Sequence, residues 1–117
     1  MLENRICVFC GSHTGNNKLF ISNTKALGEG IVKRKWKAVY GGGSSGLMGV
    51  FANTIINNNG YIKGIIPKYL KDKELAHPFL TEISVVENIL ERKSKMIEES
   101  DFFIALPGGI GTLDEIF

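Results

Sequence analysis

The sequence predicts a doubly wound α/β fold, a parallel sheet with helices on both faces, in a single domain spanning residues 1–117. Three observations carry that prediction. Short apolar runs alternate with longer segments of helical periodicity along the whole chain. Three of the short runs end in glycine-rich turns. The length of 117 residues suffices for one hydrophobic core and not for two.

The elements follow in order. The first strand is expected over Ile6–Cys10, inside the run R-I-C-V-F-C. Its two cysteines, Cys7 and Cys10, form a C-x-x-C, but an odd separation along a strand turns them to opposite faces. No second Cys or His cluster accompanies them to complete a zinc site, so they read as small buried hydrophobes. A helix follows over Asn17–Lys35, with Phe20, Leu27 and Ile31 at helical spacing. Lys37–Tyr40 is the second strand and Leu47–Asn58 the second helix, stopped by Asn57-Asn58-Asn59-Gly60. Strands at Tyr61–Ile66 and Glu82–Val86, a helix at Glu87–Glu99 and a last strand at Phe102–Leu106 complete a Rossmann-like alternation.

Composition narrows the partners. Hydrophobic content of 44% and charged content of 22% are those of an ordinary globular protein. The net charge is +2 with acids and bases interspersed, which argues against nucleic acid. No apolar run approaches the roughly 18 residues of a membrane span. The apolar run near the N-terminus is too short for a signal-peptide core. These features lead to the expectation of a cytoplasmic protein without membrane or nucleic-acid partners.

The turns are C-G-S-H-T-G (Cys10–Gly15), Y-G-G-G-S-S-G-L-M-G (Tyr40–Gly49) and L-P-G-G-I-G-T (Leu106–Thr112). In an open parallel sheet the carboxyl ends of the strands share one edge, where ligands bind. Glycine permits tight turns and close backbone approach. A helix starting just after such a turn offers unpaired N–H groups to a phosphate. Three such turns on one edge point to a phosphate-bearing ligand, with Ser12, Gly42, Gly43 and Ser44 as candidate contacts. No lysine follows Gly46, so the pattern of P-loop nucleoside triphosphatases is missing. After the first strand only Gly11 and Gly15 stand where a dinucleotide fold carries G-x-G-x-x-G. A mononucleotide fits better.

Around the last strand the charged residues become informative. Val86, Ile89, Leu90, Met96 and Ile97 share one helical face, with Lys93 in its middle. A lysine there either snorkels to water or meets an anion. Arg92 lies at the side of the stripe, from where it can reach towards a crevice. Pro107 ends the strand, Gly108, Gly109 and Gly111 make the turn, and the Thr112 hydroxyl can cap or bind. Asp114 and Glu115 begin the next helix, a place the helix dipole favours for acids. The alternative is a carboxylate facing the ligand, which repels a phosphate unless the reaction uses its charge.

Together these residues resemble the LONELY GUY family of cytokinin riboside 5′-monophosphate phosphoribohydrolases, whose relatives carry the older label of lysine decarboxylases. The signature P-G-G-x-G-T-x-x-E is complete from Pro107 to Glu115, and the R-K pair matches Arg92-Lys93. G-G-G-S-x-G-L-M-G matches Gly41–Gly49, and C-V-F-C-G-S and G-x-I-P-K (Gly64–Lys68) fit as well. The resemblance implies hydrolysis of the N-glycosidic bond of an adenine-type nucleotide, AMP or isopentenyladenosine monophosphate, without cofactor or metal. It implies Arg92 and Glu115 as the catalytic pair and Gly108, Gly109, Ile110, Gly111 and Thr112 as the phosphate turn. Leu113 and Asp114 continue that binding segment, Glu74 and Lys93 are further substrate contacts, and the family's habit is a homodimer. Nothing in the chain reads as a pyridoxal phosphate site.

Two departures stand out. Ile89 and Leu90 replace the methionine and histidine of the common M-H-x-R-K, which bears on base preference. Family members also continue with further helix and sheet beyond the signature glutamate, so the C-terminal part of the family fold is expected to be missing after Phe117. The competing expectations are a non-catalytic nucleotide or cofactor binder, similar to molybdenum-cofactor carriers, and an inactive fragment.

Overall fold

Among the described residues five strands and three α-helices form in the predicted order: β1 (Arg5–Phe9), α1 (Lys18–Lys33), β2 (Lys37–Tyr40), α2 (Gly46–Asn57), β3 (Ile62–Pro67), β4 (Glu82–Val86), α3 (Ile89–Glu98) and β5 (Phe102–Ala105). The structure is a computed structural model that describes residues 4–10, 18–71 and 76–106. Strand limits differ from expectation by a residue or less. The third helix begins later than expected because Asn88 caps it, its side chain accepting from the Glu91 N–H at 2.8 Å.

All strand pairs are parallel, in the order β4-β3-β2-β1-β5. Side-chain alternation divides the interior into two layers. Ile6, Val8, Cys10, Ala38 and Tyr40 pack with Ile31 of α1 and with Leu47, Phe51 and Ile55 of α2. Cys7, Phe9, Val39, Ile65 and Val86 face the other way, against Met96 of α3. The cysteines are therefore buried in separate layers, as their odd spacing predicts. Each large apolar side chain taken out of water here contributes about 1.5–3 kcal/mol. Trp36, which leads into β2, stacks on Phe102 of β5 with ring centroids 5.0 Å apart.

The connection from β3 to β4 opens with a single 3-10 turn (Lys68–Leu70). Its return segment lies against the turn after β2, where the His77 N–H donates to Gly42 O at 3.0 Å. At the opposite, amino-terminal edge of the sheet, Lys63 Nζ meets Glu99 Oε1 at 2.6 Å and Lys95 Nζ meets Glu99 Oε2 at 3.6 Å. Burial alone would raise the Glu99 carboxyl, but the Lys63 hydrogen bond and the two lysine charges hold it below its ordinary value. Among the described residues no helix is long and apolar enough to cross a membrane.

The apolar stripe of α3 does not turn inward as a whole. Its inward line is Arg92 and Met96, while Leu90 is 73% and Ile97 49% exposed. Val86 belongs to β4 rather than to this helix. The F-F-I-A run of β5 is apolar on both faces, yet Phe102 and Phe103 remain about half exposed.

Candidate functional site at the switch in strand order

From β1 the sheet grows outward through β2, β3 and β4, and then the chain returns to lay β5 beside β1 on the other side. Strand order reverses between β1 and β5, and in open α/β sheets the ligand crevice lies outside the carboxyl ends at such a point. Phe9 pairs with Ala105, and the Leu106 N–H donates to Phe9 O at 2.8 Å. Cys10 and Leu106, which open two of the three glycine turns, thus leave the sheet side by side. Ser12, Glu74, Gly108, Gly109, Ile110, Gly111, Thr112, Leu113, Asp114 and Glu115 lie outside the described residues.

The third turn follows β2, one strand away. Gly42 has φ +85°, the left-handed region that favours glycine. A Cβ at Gly41 would fall 2.5 Å from Arg92 Nη2, so a side chain there would push the guanidinium from its place. Gly42 and Gly43 are buried and Ser44 is half-buried at the start of the next helix. Of the expected contacts on this turn, Ser44 is therefore the one nearest solvent.

Arg92 departs from expectation. It does not lie at the side of a stripe reaching outward; it is 3% exposed and points into the body of the protein. Its Nε donates to Ile65 O at 3.0 Å and its Nη2 donates to Gly41 O. The physical reason is that both carbonyls lie past the last β2–β3 pair, Tyr40 with Gly64, and need donors, and the forked guanidinium supplies two at once. Lys93, its neighbour in sequence, is half-buried.

Two residues outside the expected site complete the arrangement. Tyr40 is fully buried, and its hydroxyl donates to Gly43 O at 2.7 Å. His77 Nδ1 accepts from the Phe79 N–H at 3.1 Å, so in the neutral ring Nε2 carries the proton and donates to Asn53 Oδ1 at 2.7 Å. Burial pushes this imidazole below its ordinary value of 6.5. A tyrosine directly before a glycine run was the signal available in the sequence. Nothing local marks His77. Among the described residues no group of three or more Cys, His, Asp or Glu stands together as a metal site.

With this geometry in place, residues 48–117 match the sequence profile of the family described as "Possible lysine decarboxylase". The chain belongs to this family. It is 46% identical over 96% of its length to a protein of Oryza sativa subsp. japonica named as a probable cytokinin riboside 5′-monophosphate phosphoribohydrolase. It is 44% identical, over the same share, to a cytokinin riboside 5′-monophosphate phosphoribohydrolase of Arabidopsis thaliana. The chain spans about half the length of these curated relatives, 50% and 49%. Among solved structures, the molybdenum cofactor binding protein of Rippkaea orientalis shares the fold, with a TM-score of 0.82 at 23% identity over 99% of this chain and 69% of that one. The molybdenum cofactor carrier protein of Chlamydomonas reinhardtii superposes with a TM-score of 0.80 at 19% identity over 98% of this chain and 68% of that one.

Proposed function

We propose that this chain carries the nucleotide site of a phosphoribohydrolase that cleaves an adenine-type (cytokinin) nucleoside 5′-monophosphate, AMP or isopentenyladenosine monophosphate, into free base and ribose 5-phosphate. The observation that carries the reading is the 46% identity over 96% of the chain to a relative named for that activity. It is supported by the retention of Arg92, Lys93 and the whole P-G-G-x-G-T-x-x-E signature. The reversal of strand order, with Cys10 and Leu106 adjacent, fits a ligand crevice at the turns that follow them.

In this mechanism the amides of Gly108–Thr112 hold the 5′-phosphate and fix the sugar. Leu113 and Asp114 continue that segment, while Glu74 and Lys93 contact the substrate. As the bond between C1′ and the base nitrogen breaks, its electron pair leaves with the base and the sugar gains oxocarbenium character. The Glu115 carboxylate stabilises that cation and positions the water whose oxygen bonds to C1′. The water's proton balances the charge on the departing base. Arg92 serves the same site from inside the protein, through the carbonyls it holds. No cofactor takes part. A homodimer and a cytoplasmic location belong to the same proposal.

The test is chromatographic. The chain is incubated with each nucleotide and free base is assayed against a Glu115→Gln control. Base released by the wild type alone is the expected result. Equal nucleotide binding by both proteins with no base from either would replace the hydrolase with a binding protein.

A further inference from the structure

The three carbonyls of Gly41, Gly42 and Gly43 are each held by a different group. Gly41 O accepts from Arg92 of α3, Gly42 O from the His77 backbone N–H, and Gly43 O from the Tyr40 hydroxyl. A trans peptide is planar, with its N–H pointing away from its C=O. Holding a carbonyl therefore also fixes the direction of the next residue's amide. The Tyr40 bond governs the last of these planes, Gly43–Ser44, which leads straight into the Ser45 N-cap and the first turn of α2.

We propose that Tyr40 is a positioning residue for nucleotide binding: its buried hydroxyl, through Gly43 O, sets where Ser44 and the amino-terminal turn of α2 stand at the rim of the crevice. This rests on the phosphoribohydrolase reading above. Tyr40 is itself fully buried, and the turn is the route by which its hydroxyl reaches the ligand. Its ring packs against Phe51 at 6.0 Å between centroids, tying the hydroxyl to the helix whose start it orients. Arg92 and His77 secure the two preceding planes, so these stay anchored when the Tyr40 hydroxyl is removed.

The test is Tyr40→Phe, which keeps the ring and deletes the donor, beside Tyr61→Phe. The Tyr61 hydroxyl bonds Glu82 at 2.7 Å at the opposite edge of the sheet, remote from the turns. For Tyr40→Phe, AMP affinity is expected to fall about tenfold, the equivalent of one lost hydrogen bond of roughly 1.4 kcal/mol. The KM for base release should rise in parallel while kcat holds. Tyr61→Phe should change neither. A hydroxyl that merely stabilises the fold would lower the active fraction, reducing apparent kcat with KM unchanged, and that pattern would overturn the proposal. So would wild-type affinity in Tyr40→Phe.

Hydrogen exchange without nucleotide separates this inference from the reading beneath it. Faster exchange confined to Ser44, Ser45 and Gly46 in Tyr40→Phe upholds the clamp itself; if the wild type then neither binds nor cleaves AMP, the nucleotide reading fails and with it Tyr40's part in binding. Unchanged exchange there overturns the clamp whatever the nucleotide does.

Discussion

Replacing Arg92 with methionine separates two accounts of the same residue. If the guanidinium served only to touch a ligand at the surface, Arg92→Met would leave stability unchanged or raise it slightly. The structure predicts otherwise. Arg92 is 3% exposed and supplies donors to Ile65 O and Gly41 O, carbonyls of residues 27 and 51 positions away in sequence. Methionine fills much of the volume but leaves both acceptors without that donor, at about 1–3 kcal/mol each. Part of this is offset, because a buried charge no longer has to be kept from water. The net loss is expected at about 2–4 kcal/mol, which at a urea slope of about 1–2 kcal/mol/M shifts the midpoint by roughly 2 M. Equilibrium urea unfolding at neutral pH, followed by circular dichroism, reads it directly. Arg92→Lys should recover part of the loss, since an ammonium lacks the planar fork that serves two acceptors. An unfolding free energy for Arg92→Met within about 0.5 kcal/mol of wild type, the range of ordinary surface changes, would refute the anchoring role.

Three further outcomes follow from the same contacts. Gly42→Ala places a side chain at φ +85° with its Cβ 3.1 Å from Ile66 Cβ, so it should cost about 1–3 kcal/mol in the same urea assay. Glu99→Gln removes a carboxylate held 2.6 Å from Lys63 and should cost about 1 kcal/mol at pH 7. Because the native Glu99 value lies below its ordinary 4.5, its contribution is complete above that pH and disappears as pH falls through the native value, so wild type and variant should converge in acid. His77 is also depressed, which means the unfolded chain takes up its proton first and stability declines as pH drops below about 6.5. His77→Gln should flatten that decline in urea midpoints measured between pH 7.5 and 5.5.

The strands were legible because their signals are local. Ile6–Cys10 and Glu82–Val86 are short, largely apolar runs rich in β-branched residues, and the parity of Cys7 and Cys10 places them in opposite layers, as the structure does. A doubly wound sheet implies a reversal of strand order, but its position was not legible, since nothing in β5 itself says that it returns to β1. The inward side of α3 was misread for a related reason. Periodicity ranks side chains by their own polarity, and on that scale Ile89, Leu90 and Ile97 belong inside and Arg92 outside. The ranking omits what the helix packs against. Here it meets β2 and β3 towards their carboxyl ends, where Ile65 O and Gly41 O lie past the last β2–β3 pair, and two acceptors of that kind outweigh the apolar pull of an isoleucine.

The R-K pair then divides into unlike halves. Arg92 is sealed into the protein while Lys93 keeps partial access to solvent. Loss of activity on changing Arg92 would follow from either account of it, because the carbonyl it holds at Gly41 belongs to the same turn that leads to Ser44 and α2. Activity alone therefore cannot assign Arg92 a chemical role. Stability can identify the structural one, because an arginine that belongs to the turn's own framework is costly to remove even when no nucleotide is present.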